Sequence, residues 1–269
     1  MPASGHGPAL AQANTGPGKR ESGMADNPQV HGIYSKTEMA EAGQGGSLRK
    51  FTQKTYWFVR RHGNDRYEVF PLNSEHLPAK VRSMIAGLDF LRNYVPEVDY
   101  YQEHDCPLIS SLKAKMDASP ESLDKAGLDK DELRFCKNVL IPPKAKNAVL
   151  AVKAGLEALF GGGLANREVK VRDFNASAIS LRKAKHHDEA LRYYHAAMDL
   201  NDQDENIHFN MARVYFEIKE YECCIKNLIS ALKINPRLTV AKQFIDYIDG
   251  EIMDIDERSR ELLKEARAF

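Results

Sequence analysis

Two adjacent cysteines, Cys223 and Cys224, form the residue pair of this 269-residue chain that most directly suggests chemistry. Vicinal thiols occur in redox pairs and can act as nucleophiles or metal ligands. The stretch around them, EYECCIKNLISALKINP, has helical spacing, and neighbouring residues of a helix point about 100° apart. A vicinal disulfide would strain that helix, so we predict ordinary helical positions without a redox role. The isolated Cys106 and Cys136 are interpreted as small core residues.

Three histidines, His186, His187 and His195, form a second candidate group. Helical metal sites place their ligands on one face, for example four residues apart. We expect His187 in a turn between helices and His195 on the helix that follows, so the two are not expected to share an ion. The sequence therefore predicts no metal site and no cofactor.

Catalytic motifs give little support for an enzyme. The carboxylates of Asp254, Asp256 and Glu257 fit a solvated acidic face. The Gly-Gly-Gly of 161–163 follows a helical segment and precedes no Lys-Ser/Thr, which favours a hinge or helix cap over a phosphate loop. Nucleophile-elbow and His-Glu-x-x-His motifs are missing, so we predict no catalytic residues.

Composition narrows the class of protein further. The chain has 38 Lys and Arg against 38 Asp and Glu, whereas nucleic-acid-binding proteins usually carry a basic excess. No apolar run approaches the ~20 residues that span a bilayer, and the first residues lack the apolar core of a signal peptide. Four cysteines do not make a disulfide framework. We therefore expect a cytoplasmic protein that binds neither membranes nor nucleic acid.

The elements that position candidate residues begin after a polar region. Residues 1–48 are rich in Gly, Ala, Ser, Pro and Gln, which predicts a disordered tail, and Met24 is an alternative start. Residues 49–73 contain TYWFVR and RYEVF around the turn sequence HGND, which predicts a β-hairpin with Trp57 and Phe70 on its buried face. An unpaired edge of such a hairpin would be a second interaction element.

Residues 74–168 have helical but interrupted patterns. Four helical segments are predicted, the second with Asp105 as a candidate N-cap: AKVRSMIAGLDFLRNYV, DCPLISSLKAKM, DKDELRFCKNVL and KAKNAVLAVKAGLEALF. Residues 169–269 complete the chain with a different, periodic pattern.

That pattern has a period of 34 residues. Small residues match at three sites, and larger ones match between them: Ala178 with Ala212, Ala190 with Cys224, Ala197 with Ala231, Leu181 with Tyr215, Tyr194 with Leu228, Leu200 with Ile234, and Phe174 with His208. A helical hairpin needs this arrangement, because small residues let two backbones approach and bulky ones fill the space beside them.

The pattern resembles the tetratricopeptide repeat (TPR) family, which has this period. In 205–238 the family's Trp, Leu, Gly, Tyr, Ala, Phe and Pro positions hold His208, Met211, Ala212, Tyr215, Cys224, Leu228 and Pro236. The copy at 171–204 departs from the family with Ser177 in its Leu position and Asp202 in its Pro position. The charged sequence after Pro236 is interpreted as a terminal capping helix.

The resemblance implies a non-enzymatic adaptor or scaffold whose groove binds a peptide or a partner helix. The groove positions implied by the resemblance are Asn175, Ile179, Arg182, Phe209, Asn210, Arg213, Phe216 and, from the capping helix, Tyr247 or Phe244. Aromatic and Arg side chains suit a partner with apolar anchors and an acidic group. Most positions of the family's chaperone-tail clamp differ, with Val240 and Phe244 in place of Lys and Arg, so a chaperone tail is not the expected partner.

The sequence thus predicts a mainly α protein with a disordered tail, a β-hairpin, a helical middle and a TPR pair with its cap. Two alternatives remain open. One is a weak nucleic-acid-associated regulator that uses the basic 137–172 segment, with Lys137, Lys144, Lys146 and Lys153 facing solvent. The other is an enzyme with an unrecognised site in 74–168.

Overall fold

A computed structural model describes residues 29–42, 49–63, 65–160, 164–252 and 255–269. The chain divides into two compact units, here named the N-terminal unit, which ends at Ile207, and the C-terminal unit, His208–Phe269. The described chain is mainly helical with a small antiparallel sheet on its N-terminal side, which confirms the predicted fold class. None of the helices in these ranges is long and apolar enough to cross a membrane.

A five-stranded antiparallel sheet organises the N-terminal unit, with strand order β4-β3-β2-β1-β5. The strands are β1 Gln29–Ala42, β2 Arg49–His62, β3 Arg66–Pro71, β4 Ser83–Ala86 and β5 Val95–Pro96. β1 and β2 pair along their whole length, whereas β3 pairs only with the second half of β2. The first half of β2 and the end of β1 therefore form a two-stranded ribbon.

The predicted hairpin is confirmed, because β2 and β3 pair with Phe58 opposite Phe70, but the half-buried Trp57 lies on the other face of the sheet from Phe70. It is not isolated, however, since β1 pairs with the other edge of β2 and β4 pairs with the other edge of β3. The hairpin therefore does not stand alone, although within the described residues 49–55 of β2 pair only with β1 and have no strand on their other side.

The predicted tail differs from the structure at Gln29–Ala42, which forms β1. The segment carries few apolar residues, but Ile33 and Tyr34 are both buried and alternate between the two faces of the sheet. A β-bulge precedes Gly32, whose φ of 136° favours glycine. Pairing with β2 thus orders a segment that its composition does not predict. Residues 1–28, with Met24, and 43–48 lie outside the described residues.

Seven α-helices of the described N-terminal unit surround the sheet: α1 Gly87–Asn93, α2 Tyr100–Glu103, α3 Pro107–Asp117, α4 Lys130–Phe135, α5 Ala148–Phe160, α6 Leu164–Lys183 and α7 His187–Leu200. Helices α3, α4 and α5 confirm three of the four predicted segments, although the N-cap residue of α3 is Cys106 and not the predicted Asp105, and α4 continues as a π-helix over Cys136–Leu140. The first predicted segment differs, because Ser83–Ala86 joins the sheet and only Gly87–Asn93 is helical. Pairing with β3 outweighs its helical pattern.

The two faces of the sheet are covered by different helices. Ile33, Phe58 and Phe70 pack in one core with apolar residues of α2, α3, α4 and α5. Gly155 of α5 permits this close approach, because a Cβ there would lie 3.1 Å from Leu140. On the opposite face, the Tyr67 ring stacks on Phe90 of α1 at 3.9 Å. Helix α7 contributes Tyr193, whose Oη donates to the Tyr94 carbonyl at 3.0 Å.

Helices form the described C-terminal unit: α8 Glu205–Glu217, which begins three residues before the unit does, α9 Tyr221–Ile234, α10 Thr239–Glu251 and α11 Glu257–Ala266. Their core contains Cys224, Leu228, Phe244 and Leu263. The predicted single capping helix is two helices, because Asp256 starts a new one by accepting the Ser259 N–H at 2.9 Å.

Candidate functional site

The turn between α6 and α7 closes a helical hairpin in the N-terminal unit. The His186 N–H donates to the Leu181 carbonyl at 2.9 Å, and the Lys185 N–H donates to the Arg182 carbonyl at 2.9 Å. Lys185 adopts a φ of 64°, in the left-handed region. This conformation ends α6 and reverses the chain.

The turn between α8 and α9 has the same local geometry in the C-terminal unit. The Glu220 N–H donates to the Tyr215 carbonyl at 2.9 Å, the Lys219 N–H donates to the Phe216 carbonyl at 3.0 Å, and Lys219 has a φ of 65°. Each of these residues lies 34 positions after its counterpart in the first turn. The helices that follow, α7 and α9, are both 14 residues long. Local backbone geometry therefore recurs at the interval seen in the sequence.

The small-residue positions are buried in both hairpins. Every one is 0% exposed: Ala178, Ala190, Ala197, Ala212, Cys224 and Ala231. Burial raises the pKa of the Cys224 thiol to about 12, with a smaller contribution from Cys223, so Cys224 stays protonated at neutral pH. All four cysteines are free. Cys224 thus has the packing environment of a small core residue.

An aromatic cluster joins α8, α9 and α10, and consists of Phe209, Phe216, Tyr221, Phe244 and Tyr247. The buried Phe244 has its ring centroid 5.1 Å from that of Phe216 and 6.2 Å from that of Phe209. Phe216 also contacts Tyr221 at 5.8 Å and Tyr247 at 6.0 Å. All four pairs meet edge to face, the arrangement that aromatic rings favour.

The four rings of this cluster other than Phe244 are half-buried, so each presents part of its surface to solvent. The structure thereby brings together three residues predicted from the sequence, Phe209, Phe216 and Tyr247. Tyr221 was missed by the sequence analysis, although it lies five residues after Phe216, across the α8–α9 turn. Of the two candidates on α10, Phe244 is only 2% exposed, so Tyr247 is the accessible one.

Two polar candidates accompany the aromatic cluster on α8. Arg213 is half-buried, whereas Asn210 is 9% exposed. Arg213 therefore keeps more of its surface accessible than Asn210 does.

Three predicted positions belong to α6 in the N-terminal unit. Asn175 and Ile179 are half-buried, and Arg182 is 7% exposed. The resemblance implies that Arg182 is a partner-binding residue, but its low exposure leaves little surface for a ligand. Asn175 and Ile179 keep accessible surface on this helix.

The histidines of α7 do not form a cluster. His186 is the N-cap residue, His187 is the first helical residue and His195 is exposed two turns later. Across the described ranges, no group of three or more His, Cys, Asp or Glu residues is arranged to hold a metal ion. Of the acidic trio, Asp256 caps α11 and Glu257 begins it, while Asp254 lies outside the described residues, as do 161–163.

The basic segment lies in the N-terminal unit. Lys137, Lys144 and Lys146 are exposed, and Lys153 on α5 is half-buried. Lys137 lies in the π-helical turn, and Lys144 and Lys146 precede α5, so these lysines do not share one helix face.

No protein-family model matches the chain, and no curated protein sequence matches it.

Proposed function

We propose that the C-terminal helices are a TPR-type scaffold and that the protein is a non-enzymatic adaptor that binds a segment of another protein. The partly exposed aromatic cluster of α8, α9 and α10 carries the proposal. The 34-residue recurrence of turn hydrogen bonds and left-handed lysines supports the assignment of a repeat.

The partner fits this surface through apolar side chains. The rings of Phe209, Phe216 and Tyr247 are held in place by edge-to-face contacts, so binding costs little additional side-chain ordering. Partly exposed aromatic residues next to buried ones are common centres of binding energy. The half-buried Arg213 on α8 supplies a positive charge for an acidic group beside the apolar anchors.

The α10 side of the surface argues against a chaperone tail as the partner. Val240 and Phe244 occupy the positions where the resemblance implies a carboxylate-binding Lys and Arg, and Phe244 is buried. Location in the reducing cytoplasm is part of the proposal and is supported by the four free cysteines.

Affinity capture from a native lysate tests the proposal. The wild type is compared with the triple variant Phe209→Ala/Arg213→Ala/Phe216→Ala. The matched control changes three exposed residues of α11 and is Arg260→Ala/Glu261→Ala/Lys264→Ala. We expect specific partners to be retained by wild type and control and lost from the first variant. An unchanged set of partners in the first variant would show that the α8 surface does not bind them.

The folding of the triple variant is checked separately, because Phe216 also packs on Phe244. Near-ultraviolet circular dichroism should show that the triple variant is still folded, like the wild type, at the temperature of the capture. A smaller change, Arg213→Ala alone, leaves the aromatic packing in place and should weaken capture of an acidic partner.

A further inference from the structure

Two histidines that are distant in sequence lie side by side in the N-terminal unit. The ring centroids of His76 and His104 are 5.3 Å apart, and the ring planes are inclined by 52°. His76 lies in the loop after β3, and His104 is the C-cap residue of α2. Both are half-buried, so a solute can reach them.

The loop that carries His76 is held by several hydrogen bonds. Asn73 Oδ1 accepts the Glu75 N–H at 3.0 Å, Tyr101 Oη donates to the His76 carbonyl at 2.7 Å, and Cys106 Sγ donates to the Glu75 carbonyl at 3.3 Å. His76 has a φ of 60°, a conformation that residues with a side chain adopt rarely. These contacts hold the backbone that carries the His76 imidazole in a strained conformation.

Both rings use Nδ1 to bond to Tyr100. His104 Nδ1 lies 3.0 Å from the Tyr100 carbonyl, which can only accept, so Nδ1 carries the proton and Nε2 has a lone pair. His76 Nδ1 lies 2.6 Å from Tyr100 Oη, and in the tautomer with the proton on Nδ1 the hydroxyl accepts this hydrogen bond and Nε2 has a lone pair. Within the described part of the chain, neither Nε2 has a hydrogen-bond partner.

This arrangement is the one found around metal-binding imidazoles, in which the second ring nitrogen donates to a carbonyl or a similar acceptor. The ring separation also fits. Two imidazoles bound to one tetrahedral ion through bonds of about 2.0–2.1 Å have ring centres about 5 Å apart. The observed 5.3 Å agrees with that distance.

We propose that His76 and His104 bind a divalent transition-metal cation, such as Zn²⁺, Ni²⁺ or Cu²⁺, through their Nε2 atoms. Nitrogen ligands favour these ions over Mg²⁺ and Ca²⁺, which prefer oxygen. No third His, Cys, Asp or Glu joins the pair among the described residues, so water completes the coordination and the ion exchanges readily. The exposed neighbours Glu75, Glu103 and Asp105 make the surroundings negative, which favours a cation.

Calorimetric titration of the chelator-treated full chain with Zn²⁺ tests the site. We expect one site in the wild type and at least a ~10-fold weaker affinity in His76→Gln and in His104→Gln. His195→Gln, which changes an exposed histidine of α7, should bind like the wild type. Equal affinity in all four proteins, or no binding by the wild type, would overturn the proposal.

A footprint on the unaltered protein avoids any effect of substitution on folding. Diethylpyrocarbonate modifies accessible neutral imidazoles, and mass spectrometry locates the modified histidines. Zn²⁺ should protect His76 and His104 and leave the modification of His195 unchanged. Modification of His76 and His104 at the same rate with and without Zn²⁺ would exclude the site.

Discussion

Lys170 provides a prediction whose magnitude follows from its surroundings. This α6 residue is 8% exposed, and its Nζ donates to the Ala158 carbonyl near the end of α5 at 2.6 Å. Burial lowers the pKa of Lys170 from 10.5 to about 8, and the negative charge of Asp99 opposes the change only in part. The ammonium is therefore less stable in the folded protein than in the unfolded chain.

The sign of the pH dependence follows from proton binding. Below pH 8 the Lys170 ammonium is protonated in both the folded and the unfolded state, so the full free-energy cost of its burial is present. Between pH 8 and 10.5 the unfolded chain binds a proton that the folded protein lacks, so the contribution of Lys170 to stability rises with pH. Between pH 7 and 10 this change amounts to roughly 2–3 kcal/mol of unfolding free energy.

Lys170→Met removes the buried ammonium and keeps an unbranched side chain of nearly the same length. The variant should be more stable than the wild type at pH 7 by roughly 1–2 kcal/mol, because loss of the bond to Ala158 offsets part of the gain. The advantage should disappear near pH 10. Urea unfolding of both proteins at several pH values measures the difference, and Lys183→Met, at an exposed position of the same helix, is the control. A difference that does not vary with pH would refute the assignment of a buried ammonium.

Three further predictions concern stability. Cys224→Ala should change the unfolding free energy by less than about 1.5 kcal/mol, because Ala occupies the equivalent position of α7, and thermal unfolding would measure it. Glu68→Gln should cost about 1–3 kcal/mol in urea unfolding, since buried Glu68 lies 3.1 Å from Arg60 Nε and the substitution removes the charged partner of this half-buried guanidinium. Above pH 10 the wild type should lose stability, because burial raises the pKa values of Tyr34 and Tyr193 and the unfolded chain therefore releases their protons first. The ultraviolet absorbance of tyrosinate should rise together with unfolding.

Local sequence signals predicted much of the helical part. Asp129 precedes Glu132 by three residues, and both halves of this capping box form at the start of α4. Pro107 occupies the first turn of α3, where its missing N–H costs nothing. These elements were predictable because the signals act within one turn of helix.

Long-range pairing explains what the sequence did not predict. β1 forms by pairing with β2, and β4 forms by pairing with β3, so the composition of neither segment predicts that it is a strand. His76 and His104 come together only because the β3 loop and α2 are packed on the same core, and no spacing rule joins them. The resemblance to the TPR family implied that Arg182 is a groove residue, but a resemblance does not report the low exposure that the structure gives it.

Site-specific photo-crosslinking tests most directly whether the aromatic surface of α8 and α10 binds a partner. Gln243 is exposed and lies one turn before Tyr247 on α10, so a photoreactive residue there reports on that surface. Lys264 on α11 is the control position. We predict discrete protein adducts from position 243 that vanish in the Phe209→Ala/Phe216→Ala background and do not form from position 264. Identical adducts from both positions, or adducts at 243 that survive the two substitutions, would contradict the claim.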